Sequence, residues 1–100
     1  MGMSQSISCP AGVPEWPKVA AWLTANGTPP QMRMIDGQLA FPDEEPPADW
    51  RELRVALAGF MVTVRRAADG VEVVTWGTAD EPVRRAGETM ARALSEASRL

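Results

Sequence analysis

From Glu52 to Trp76 the chain alternates apolar and polar positions along short runs separated by turn-forming residues. Phe60-Met61-Val62-Thr63-Val64-Arg65 and Val71-Glu72-Val73-Val74-Thr75-Trp76 are rich in β-branched side chains, and Ala68-Asp69-Gly70 turns the chain between them. They predict an antiparallel strand pair. The preceding residues 49–58 (DWRELRVALA) fit two patterns. As a helix, Asp49 would be the N-cap, Glu52 its capping-box partner and Gly59 the stop. As a strand, Leu53, Val55 and Leu57 alternate with Glu52, Arg54 and Ala56. Val55 favours the strand, because on a helix it would lie about 200° from Leu53, away from the apolar stripe. The helix remains the open alternative.

The period changes after Gly77. Val83, Ala86, Met90, Ala93, Leu94 and Ala97 recur at helical spacing, while Arg84, Arg85, Glu88, Arg92, Glu96 and Arg99 fall outside that stripe. Asp80 is a natural N-cap with Pro82 in the first turn, and Glu81–Arg85 and Glu88–Arg92 are spaced for i,i+4 pairs. A helix over about 80–98 follows, with small inner residues suited to close packing on a sheet. A shorter helix over about 16–26 is marked by Val19, Trp22 and Leu23, then stopped by Asn26-Gly27 and Pro29-Pro30. Asp36-Gly37 between QMRMI and QLAF signals a tight hairpin with strands at about 31–35 and 38–41. Pro42 to Ala48 is an acidic, proline-rich loop.

The elements run helix, hairpin, loop, three-stranded meander, helix. This order predicts an α+β domain over residues 14–100, with one antiparallel sheet of about five strands and both helices packed on one face. Residues 1–13 (MGMSQSISCPAGV) show no hydrophobic period and read as a disordered tail whose removal leaves stability unchanged. Cys9 within it is expected to be an exposed thiol.

Composition narrows the chemistry. There is no histidine, one cysteine and one lysine, Lys18. Histidine triads, His–Cys zinc sites and two-histidine iron sites are therefore excluded, and no transition-metal site or cofactor is expected. Of the carboxylates, Asp36 and Asp69 precede glycine in turns, Asp49 and Asp80 sit at caps, and Asp43-Glu44-Glu45 form a solvated loop. Neither a phosphate-binding glycine loop nor a calcium-loop spacing is present. No catalytic residue is assigned, and an enzyme working through Asp, Glu and Arg alone ranks third among the readings. The net charge of −3 argues against nucleic acid, and no apolar run approaches the roughly 18 residues needed to span a membrane. With no signal sequence, the expected address is the cytoplasm; the alanine- and arginine-rich usage suggests a bacterial source.

A protein-binding module, self-association included, is the first reading. The expected surface is the sheet face turned away from the helices, carrying Arg54, Met61, Arg65, Val74 and Trp76. The second reading is a small-ligand pocket between sheet and helices, lined by some of the four tryptophans and by methionine.

Overall fold

The computed structural model describes residues 3–10, 12–75 and 81–99. It contains β1 (Met3–Ser8), α1 (Trp16–Ala25), β2 (Gln31–Ile35), β3 (Gln38–Leu39), β4 (Glu52–Leu57), β5 (Phe60–Ala67), β6 (Gly70–Thr75) and α2 (Glu81–Ala97). The six strands form one antiparallel sheet in the order β1-β6-β5-β4-β2-β3. The expected α+β class is correct, with six strands instead of about five.

The ambiguous segment 52–57 is a strand, and the reason is the one Val55 suggests. Leu53, Val55 and Leu57 are all fully buried, as one face of a strand allows. They share the core with Val62, Val64, Val71 and Val73 from the next two strands. β4 turns into β5 through Ala58-Gly59, with φ of 51° and 85°. Positive φ at both positions is the backbone of a tight hairpin turn, which glycine accepts freely and alanine only with strain. The Asp36-Gly37 turn has the same form, with φ of 51° and 82°.

α2 closes the core over β5, β6 and β1. Ala86, Gly87, Met90, Ala91, Ala93, Leu94 and Ala97 form its buried face. Gly87 lets the helix come close: a Cβ there would stand 2.8 Å from the Thr75 methyl. Arg85 reaches Glu81 at 2.7 Å as expected, whereas no Glu88–Arg92 ion pair is among those of the described residues. α1 packs beside α2 and contributes Trp16, Val19 and Leu23 to the same core. Asp80, the expected cap of α2, lies outside the described residues.

The largest departure from expectation is at the N-terminus. Met3–Ser8 is an edge strand, not a disordered tail, and it pairs with the whole of β6 from Met3 opposite Thr75 to Ser8 opposite Gly70. Ile7 packs against the core, and Cys9 is buried within it, contrary to the exposed thiol anticipated. Burial pushes the Cys9 thiol above its ordinary pKa. Gly70 makes the docking possible, since a Cβ at that position would lie 2.0 Å from the Ile7 carbonyl oxygen. No side chain except hydrogen fits between these backbones.

Candidate functional site: the uncovered face of the sheet

Both helices lie on one side. Two helices, each about 10 Å wide, cover roughly 20 Å, whereas six strands about 4.8 Å apart span some 24 Å between the outer strand axes. Among the described residues, no helix lies over the opposite face.

Register fixes which side chains meet on that face. One row runs Leu39, Met34, Arg54, Thr63, Val74, Ser4 from β3 to β1. The next row runs Glu52, Arg65, Glu72, Ser6. Opposite charges stand across adjacent strands in this second row. Glu52 is shared: its Oε2 accepts from Arg65 Nε at 3.0 Å, and its Oε1 lies 3.7 Å from Arg54 Nε. Such half-exposed pairs set side-chain positions more than they stabilise.

The expected surface residues separate into three groups. Arg54, Arg65 and Met61 do reach solvent, with Met61 44% exposed. Val74 does not: it is only 4% exposed, and Thr63 beside it is fully buried. Thr63 stands between Arg54 and Val74 across the strands, and between Met61 and Arg65 along its own strand. Short side chains so placed lie below the tips of long neighbours. At this exposure Val74 offers little for a partner to touch. Trp76, the fifth expected residue, lies outside the described residues.

Sequence reasoning missed the most exposed apolar groups. Leu39 is 89% exposed and Phe41 74%. Leu39 sits opposite the half-exposed Met34 on the short edge strand β3, on the helix-free face. The β2–β3 hairpin is held firmly despite its position. Asp36 N–H donates to the Glu52 carbonyl at 2.8 Å, and Asp36 Oδ1 accepts from the N–H groups of Arg51 and Glu52 at 2.8 and 2.9 Å. These two donors hold the Asp36 carboxyl below its ordinary pKa. Beyond Phe41 the chain turns, and Glu44 Oε1 accepts from the Phe41 N–H. Arg54 lies in the same cross-strand row as Leu39 and Met34 and is exposed.

The space between sheet and helices is filled. Trp16, Trp50, Met32 and Met90 are core side chains, at most 8% exposed. Where Trp16 and Trp50 do border open space, they floor two surface grooves of about 270 and 260 Å³ walled by prolines and by the acidic loop. Arg66 lies over the Trp50 ring at 4.7 Å and donates to the Ala48 carbonyl, which fastens the end of that loop. Both volumes fall below the roughly 300–1,000 Å³ usual for small-molecule sites. Asp43, Glu44 and Glu45 stand exposed on one loop, and Glu44 is already engaged. Among the described residues, no group of three or more Cys, Asp or Glu is placed to hold a metal ion, and no helix is long and apolar enough to cross a membrane.

No protein-family model, curated protein or solved structure matches this chain.

Proposed function

We propose that the protein is a small binding module that docks a protein partner on the helix-free face of its sheet, at the β2–β3 end. The observation that carries this reading is the paired exposure of Leu39 and Phe41 at a rigidly anchored edge. Covering one such side chain is worth about 1.5–3 kcal/mol. A partner seated on both gains the two contributions, less the cost of association. Arg54, in the same row, and Arg65 supply polar groups of the kind a specific interface has around its apolar centre. Arg54, Met61 and Arg65 extend the surface along the sheet; Val74 supports it from below.

The test is comparative capture from host extract with quantitative mass spectrometry. Wild type and Arg92→Glu, a change on the solvent side of α2, should retain the same partner. Leu39→Asp/Phe41→Asp should lose it with an unchanged melting temperature. Equal retention by the double variant would move the binding surface elsewhere.

A further inference from the structure

The sheet has a second free edge, and it is built differently from the first. β3 is only two residues long, too short to offer a neighbour a row of backbone groups. β1 runs six residues, MSQSIS, with no charge, no proline and no register shift against β6. It lacks the devices by which edge strands ordinarily refuse a neighbour.

Its hydrogen-bonding direction follows from one contact. The Cys9 N–H donates to the Asp69 carbonyl at 2.9 Å. Residues of an antiparallel strand alternate between facing their partner and facing away. Gln5 and Ile7, in step with Cys9, therefore direct their backbone groups to β6. Ser4, Ser6 and Ser8 direct theirs outward, and no backbone group among the described residues bonds to them there. The same three residues place only small hydroxymethyl groups on the helix-free face, so nothing bulky stands in the way of an added strand.

The neighbourhood of this edge is self-complementary. Between β1 and α2 lies a groove of about 230 Å³ with Ser4 and Gln5 on one side and Gly87 on the other. Arg84 and Glu88 border it, and neither forms an ion pair among the described residues. One positive and one negative group at the same edge favour no partner of a single charge. An edge that carries both signs and an uncharged strand suits a second copy of itself, which brings no excess of either charge. An uncharged strand also meets its own copy without like charges facing each other.

We infer that β1 pairs antiparallel with β1 of a second copy of this chain, joining two six-stranded sheets into one. A two-fold axis perpendicular to the sheet keeps all four helices on one side. The helix-free faces become continuous, with a Leu39–Phe41 end at each extremity. The dimer thereby becomes a bivalent form of the proposed module, although β1 pairing stands without that reading.

Sedimentation velocity from micromolar to millimolar concentration tests it. Wild type should show a reversible monomer–dimer equilibrium. Ser6→Pro removes an outward N–H that β6 does not use, at an edge position where proline is tolerated. It should raise the dissociation constant at least ~10-fold, about 1.4 kcal/mol, with the monomer's melting temperature unchanged. Ser6→Lys reaches the same end by repulsion across the two-fold axis, and salt should partly restore its dimer. If proline at this site unfolds the monomer, the lysine variant and its salt dependence carry the test. A wild type that stays monomeric at millimolar concentration overturns the inference, as does a dimer indifferent to both changes. Loss of the dimer with retained partner capture would separate this inference from the proposed function.

Discussion

The two faces of the β4–β5–β6 sheet are made by the same alternation, yet they end in different states. On one face Leu53, Val55, Leu57, Val62 and Val64 are fully removed from water beneath α1 and α2. On the other, Arg54 and Met61 reach solvent while Thr63 and Val74 do not. The helices account for the first face. On the second, where no helix lies among the described residues, long side chains such as Arg54 and Met61 stand above the short Thr63. Alternation decides which side a residue is on; it does not decide how wet that side is. The helix-covered face supports the fold, and the other is available for work provided its apolar groups stay where register puts them.

That contrast breaks most readily at the core. Leu94→Ala should cost about 2–4 kcal/mol in urea unfolding, the usual range for a large-to-small change at a buried site. Arg92→Ala, exposed on the same helix, should cost under about 0.5 kcal/mol. If Arg92→Ala proves the more damaging, the division into faces is wrong. Next in size is Gly70→Ala, which drives a Cβ against the Ile7 carbonyl. It should cost about 1–3 kcal/mol and abolish slow amide exchange in the part of β6 that faces β1. Unchanged stability and exchange would show that β1 is not held as described.

On the open face the effects on stability should be small. Leu39→Asp/Phe41→Asp should move the unfolding midpoint by less than about 0.5 kcal/mol, since neither side chain is buried. A larger loss would make this end of the sheet structural. Asp36, which ties the hairpin to β4, should give the smallest effect, visible only as pH dependence. Its folded pKa lies below the unfolded value, so its stabilisation is complete above about pH 3.9 and is lost as pH falls through the folded value. Asp36→Asn keeps a residue that tolerates positive φ but removes the charge. Urea midpoints of the two proteins should differ near neutral pH and converge in acid. A constant gap across that range would show that the carboxylate's charge contributes nothing.

How far the sequence announces each element depends on how many of its residues are buried. β4, β5, β6 and α2 are legible because long runs of Val, Leu and Ala repeat with period two or near 3.6. β1 is not: its core-directed positions include Gln5, and among its described side chains Ile7 reaches the core, as does the following Cys9. A strand held mainly by backbone hydrogen bonds to β6 leaves almost no hydrophobic signature. Leu39 and Phe41 were hidden for the opposite reason, since an apolar residue alternating in a hairpin reads as buried. The clue to their exposure is architectural: two helices are too few to cover six strands. Arg54, Met61 and Arg65 were legible as surface groups from alternation alone, whereas alternation puts Val74 on the same face without announcing its burial.

Photocrosslinking tests most directly whether a partner covers the β2–β3 end of the open face. Phe41→p-benzoylphenylalanine places the reactive group at that end, and Arg92→p-benzoylphenylalanine places it on the far side of α2. Both proteins should fold as wild type. Illumination in the host should give a discrete adduct with one protein from position 41 and none from position 92. Adducts of equal yield and identity at both positions, or none at position 41, would contradict the assignment of this face as the binding surface.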